Sequence, residues 1–172
     1  MHTAYITHPE FLKHDMGPDH PECPARIYAV ADQLIASGIL DYLYHFEATK
    51  ATKEVLALAH TQEYIDWVFS RSPESGLVDL DGDTSMNPYT LDAALYATGA
   101  VIRAVDLVMT NEVQNAFCNI RPPGHHAKRA GASGFCIFNN IAVAAAYALE
   151  HHGLERIAIV DFDVHHGDGT ED

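Results

Sequence analysis

Two short stretches of this sequence concentrate groups that can move protons or hold a metal ion. The first is Arg121-Pro122-Pro123-Gly124-His125-His126; the second is Asp161-Phe162-Asp163-Val164-His165-His166-Gly167-Asp168. Adjacent imidazoles at His125 and His126 suit proton transfer, because histidine titrates near neutral pH. Pro122 and Pro123 stiffen the approach to them, and Gly124 allows a tight backbone there. In the second stretch Asp161, Asp163 and His165 alternate with Phe162 and Val164, so an extended backbone projects them to one face. A carboxylate and an imidazole two residues apart suit a divalent ion such as Zn²⁺. Three carboxylates and two imidazoles in so short a run after a buried strand need pairing or a metal. The carboxylates also offer an orienting partner for each imidazole.

The elements that must position these stretches read as α/β. Asn115 to Ile120 is a short apolar run ended by Pro122-Pro123-Gly124, hence a strand leading into a loop. Asn139 or Asn140 can cap a helix that runs through Leu149 to Gly153, apolar nearly all round and so expected to be covered on both sides. Ile157-Ala158-Ile159-Val160 is a continuous apolar run, the pattern of a parallel strand buried on both faces. Strand, loop, helix and strand form one βαβ unit, and ligands of open α/β sheets bind beyond the carboxyl ends of the strands. Both chemical stretches begin there. Upstream, Thr3 to Ile6 is a strand candidate, a helix follows Pro24 as far as Gly38, and Glu63 to Phe69 is a further helix. Ser72 to Asn87 reads as a polar loop, with Thr90 the N-cap of a long helix after it.

Composition narrows the classes. The 172 residues predict one domain; 48% are hydrophobic and 20% charged, as in ordinary globular proteins, which excludes collagen, coiled coil and disorder. A formal charge of −14 argues against direct nucleic-acid binding and favours cationic partners. Twelve histidines are an excess, but His151-His152 read as favourable cations at a helix end, and His2, His8, His45 and His60 as structural or exposed. Cys23, Cys118 and Cys136 lack Cys-x-x-Cys spacing, so reduced thiols and a cytoplasmic location are expected. Neither a secretory leader nor a membrane-spanning run is evident.

The motifs resemble the histone deacetylase superfamily. Arg121-Pro-Pro-Gly-His125-His126-Ala127, Gly134-Phe135-Cys136-Ile137-Phe138-Asn139-Asn140 and Asp161-Phe-Asp163-Val-His165-His166-Gly167-Asp168-Gly169-Thr170 carry the resemblance. Their form is most similar to the class II and bacterial deacetylase-like branch, which includes acetylpolyamine amidohydrolases. His14-x-x-Gly17-x-x-His20-Pro21-Glu22-x-Pro24-x-Arg26 and Leu80-Asp81-Gly82-Asp83-Thr84 extend it upstream, in one register from about His14 to Asp172.

The resemblance implies a three-layer arginase–deacetylase-like α/β fold around a mostly parallel sheet. It implies zinc-dependent hydrolysis of acetyl-lysine or of acetylated amines and polyamines. Carried over, Asp163 and His165 are zinc ligands, and His125 and His126 are the catalytic pair oriented by Asp161 and Asp168. Phe135 lines the substrate tunnel beside Gly134, and Asp83, with Asp81 as the alternative, is a rim carboxylate. Asp161 with the backbones of Asp163 and His165 matches a structural potassium site. The family's third zinc ligand and its oxyanion-stabilising tyrosine have no counterpart among these residues. The chain therefore reads as residues 1–172 of the N-terminal portion of one catalytic domain, expected to be inactive alone, with an oligomer possible for a longer form. Two other readings are an arginase-like binuclear manganese hydrolase on the same fold and a non-catalytic deacetylase-like binding module.

Overall fold

A computed structural model describes residues 2–172 of the chain. Its centre is a three-stranded, all-parallel sheet in the order β2-β1-β5, formed by β1 (Thr3–Thr7), β2 (Leu43–Glu47) and β5 (Asn115–Cys118). β1 is the middle strand and its Ala4, Tyr5 and Ile6 are buried. Thr3 pairs with Leu43 on one side and Asn115 on the other, so β2 and β5 start level with it. Between β1 and β2 lies α1 (Ala25–Ala36), which begins directly after Pro24. A proline lacks the N–H that a first helical turn leaves unused, so it opens a helix at no cost there.

α2 (Lys53–Leu56) and α3 (Gln62–Arg71) follow β2, capped by the hydroxyls of Thr52 and Thr61 respectively. Ser72 to Asn87 is not the featureless loop expected. It contains an antiparallel hairpin of β3 (Val78–Asp81) and β4 (Thr84–Met86), whose Met86 is buried in the core. The hairpin is too short and polar to show alternation over a useful window.

α4 (Thr90–Met109) is the wall between two core clusters. Ala93, Ala97 and Ala100 join Ala4, Ile6, Phe11 and Leu107 on one side; Ala94 and Leu95 join Leu56, Ile65, Val68 and Phe138 on the other. The buried positions are mostly the small ones, whereas Val101, Ile102 and Val105 are only half-buried. Close approach explains this: a Cβ on Gly99 would run into the Thr49 carbonyl. Thr90 is not the N-cap, a place taken by Tyr89 without a side-chain bond. Thr90 lies inside the first turn, fully buried, with its hydroxyl on His14.

α5 (Asn140–His152) is capped by the Asn139 side chain, which accepts from the Ala142 N–H at 3.0 Å. It buries Val143, Ala144 and Ala148 but leaves Ile141 and Leu149 exposed, so one face rather than both is covered. The expected strand at Ile157 to Val160 is absent: the segment carries no ladder bonds, and Val160 is 82% exposed. Its apolar run has the composition of a buried strand, but a strand forms only beside a partner edge. β2 and β5 pair only with β1, and this segment joins neither of their outer edges. The chain then bends at residues 163–165 and closes with the short α6 (Asp168–Glu171). Among the described residues no helix is long and apolar enough to cross a membrane.

Candidate active site

The loop after β5 is anchored before it reaches the histidines. Asn119 continues the ladder, its N–H donating to the Ile6 carbonyl at 2.9 Å, while its side-chain amide donates to Tyr5 and to the Ile27 carbonyl. Arg121 is fully buried and its guanidinium forks onto Glu22, Nε to Oε1 at 2.6 Å and Nη2 to Oε2 at 2.7 Å. Burial by itself would raise the Glu22 carboxyl. His14 and Arg121 outweigh it and hold the group down at about 2.

Beyond Pro122 and Pro123 the imidazoles of His125 and His126 lie 4.1 Å apart, ring centre to ring centre. His125 Nδ1 is 2.8 Å from Asp161 Oδ2 and His126 Nδ1 is 2.7 Å from Asp168 Oδ1. The His126 bond, with Lys128 3.2 Å from the other oxygen, holds Asp168 down at about 2. Asp161 is lowered too, by His125 first and then by the Asp163 N–H. An ionised carboxylate only accepts, so each Nδ1 carries the hydrogen and Nε2 is the free ring nitrogen.

Asp163 and His165 reach the same cavity, of about 290 Å³, which Asp83, Phe135 and the two histidines also line. Asp163 Oδ2 and His165 Nδ1 are 3.0 Å apart, and the His165 N–H donates to that same oxygen at 2.7 Å, lowering the Asp163 carboxyl. Two ligands tetrahedrally disposed about one zinc stand roughly 3.3 Å from each other, so this donor pair fits two of its positions. Among the described residues no three His, Cys, Asp or Glu side chains gather as a metal cluster. Both Asp161 oxygens already accept hydrogen bonds, from His125 and from the Asp163 N–H, and a potassium ion would have to share them. Burial pushes the Cys136 and Cys118 thiols up to about 12, so neither is a thiolate near neutral pH.

Gly134 and Phe135 both adopt left-handed backbone, with φ of 55° and 69°. A Cβ on Gly134 would collide with the His126 ring, so glycine is needed for space as well as for conformation. Phe135 tolerates the strain because the hairpin holds the turn. Asp83 accepts from the Gly134 N–H at 3.2 Å and the Thr84 hydroxyl from the Phe135 N–H at 2.9 Å. Asp83 thus sits at the cavity bonded to the Gly134–Phe135 turn, while Asp81 lies outside that lining.

Several supporting contacts were not read from the sequence. Buried His60 bridges the Lys128 carbonyl and the Asn139 N–H, and burial lowers its pKa. Asn139 donates to the Ala127 carbonyl and Thr170, and Asn140 ties Pro122 to Thr98. His20 meets Phe135 edge to face at 4.6 Å. The tandem Asn139-Asn140 was the available signal: one side chain suffices for a cap, and a second buried amide needs partners of its own.

Comparison with known proteins decides the family. Residues 20–172 match the histone deacetylase domain. The chain belongs to the histone deacetylase family. Over its whole length it is 42% identical to a probable deacetylase of Archaeoglobus fulgidus, covering 48% of that protein. It is 40% identical to the human polyamine deacetylase HDAC10 across 99% of the chain and 27% of the relative. The crystal structure of the HDA15 HD domain superposes with a TM-score of 0.92 at 36% identity, over 99% of this chain and 49% of that one. The fold is therefore the α/β deacetylase fold with a mostly parallel sheet. This deacetylase-family chain spans about half the length of the archaeal relative and of the HD domain, and less of HDAC10.

Proposed function

We propose that this chain carries the proton-handling half of a zinc-dependent amidohydrolase that removes acetyl groups from acetyl-lysine or from acetylated amines and polyamines. The observation that carries the reading is the convergence of two His–Asp dyads and the Asp163–His165 donor pair on one cavity. The names of the relatives, a probable deacetylase and a polyamine deacetylase, favour the same chemistry.

Asp163 and His165 would hold the zinc, which when bound polarises an acetyl carbonyl and acidifies water. His126, its Nδ1–H held by Asp168, has Nε2 free to take a proton from the attacking water. The adjacent His125, held by Asp161, is the electrostatic partner. A protonated imidazole then delivers the proton that the departing amine requires, since an amide anion is too basic to leave. Phe135 and Gly134 form the wall along which a slim acyl-lysine chain would lie, and Asp83 is the rim carboxylate for a donor on the substrate.

Two protein ligands are one short of the usual catalytic three, so residues 1–172 by themselves bind zinc weakly and are inactive. The alternative reading is a deacetylase-like binding module, against which the intact set of His125, His126, Asp163 and His165 argues. An acetyl-lysine reporter assay with added zinc separates them. The 172-residue chain gives no turnover. A longer form carrying the remaining family segments turns over and loses about 10²–10⁴-fold with His126→Ala. Turnover by the short chain that His126→Ala abolishes overturns the inactivity; a longer form with no turnover favours the binding module.

A further inference from the structure

We infer that Glu22, acting through Arg121, is the positioning residue for the His125–His126 pair. Glu22 is buried, and buried charges are kept only when fully partnered. Its carboxylate takes both arms of the Arg121 fork, the His14 ring at 3.2 Å and Arg26 at 3.1 Å. Arg121 also donates to the Phe11 carbonyl, and His14 Nδ1 meets the Thr90 hydroxyl at 2.8 Å. One carboxylate thus joins the segment before α1, the start of α4 and the loop after β5. None of these groups takes part in the chemistry proposed above.

Position makes the cluster more than a support for the core. Only Pro122, Pro123 and Gly124 separate Arg121 from His125, and each proline has φ locked. A displacement of the Arg121 backbone is passed on to the imidazoles rather than absorbed. The Asp161 and Asp168 carboxylates cannot make up for it, because Asp161 lies on an exposed segment, Asp168 is only half-buried, and both take their places partly from the histidines. Bidentate geometry matters here: an Arg–carboxylate fork fixes an angle as well as a distance.

The inference rests on the catalytic reading only for its meaning, so the test observes the rings themselves. Histidine in the 172-residue chain is ¹⁵N-labelled and its ring nitrogens are followed by NMR. Two variants are compared with the parent. Glu22→Gln keeps the shape and removes the charge; Arg121→Lys keeps the buried charge and removes the fork, and so preserves the fold if the first variant does not. The parent shows His125 and His126 each in one Nδ1–H form. The variants lose that form at both rings, giving tautomer-averaged signals, while His60 keeps its own, held by Lys128 and Asn139. Unchanged His125 and His126 signals in a folded variant overturn the proposal. So does simultaneous loss at all three rings, which would mean that the cluster holds the domain and not the site. Rings that respond as expected in a protein whose longer form never deacetylates would instead sink the functional reading and leave this one standing.

Discussion

The two polar stretches that meet at the cavity are built in opposite ways. Arg121 to His126 is held from behind by the buried Arg121–Glu22 ion pair and by a strand in register with β1. Asp161 to Asp168 hangs on a segment without ladder bonds, with Phe162 96% and Val164 91% exposed. It is tied to the rest through its carboxylates, His125–Asp161 and His126–Asp168, and through the Thr170 N–H on the His125 carbonyl. A site can thus have one rigid wall and one wall that takes its shape from the first. Order in the second stretch should depend on the first, and not the reverse.

The largest break in that comparison is Arg121→Met, which strands the Glu22 charge in the core. Unfolding by urea should show a loss of about 3–5 kcal/mol, whereas an exposed-pair energy of under 1 kcal/mol would mean that the cluster is not the anchor.

Acid should attack the same wall. The Glu22 carboxyl lies at about 2 when folded against an ordinary value near 4.5. Its contribution is therefore complete above roughly pH 4.5 and is lost as pH falls towards 2. Thermal melts between pH 5 and pH 2.5 should fall more steeply for the parent than for Glu22→Gln; parallel slopes would contradict the assignment.

A smaller effect is expected at the joint between the two stretches. Asn139→Ala removes the cap of α5 and the donors to Ala127 and Thr170, costing about 1–2 kcal/mol. Hydrogen exchange should quicken in residues 168–172 more than in β5. The smallest effect belongs to Phe162→Ser, which should leave stability within about 0.5 kcal/mol, because an almost fully exposed side chain leaves no cavity behind. A loss of several kcal/mol would show that this face is covered in solution.

Much of the scaffold was legible. α1, α3, α5 and β5 lie close to where periodicity and punctuation place them, because a capping residue and an apolar stripe act within a few residues of each other. The hairpin at Val78 to Met86 was missed because its pairing joins short polar runs. The strand at Ile157 to Val160 was misread for the complementary reason, since composition reports what a segment would bury and not whether it comes to lie beside an edge. On α4 the buried face is lined mostly with alanine, threonine and glycine, so close approach rather than side-chain size marks it.

By itself, then, the sequence settled which chemical groups are available and which local elements carry them. The His125-His126 tandem, the Asp163-x-His165 spacing and the capping residues are all read within one turn or one strand. The family resemblance had already paired His125 with Asp161, across 36 positions, and His126 with Asp168, across 42; tertiary structure alone decided Arg121 with Glu22, across 99. Such contacts depend on how the chain closes in space, and a carboxylate becomes an orienting partner or a buried anchor only through what closure brings beside it. Glu22 and Asp161 carry the same charge. One became the fixed point of the site and the other its follower, because one is buried and fully partnered and the other is not.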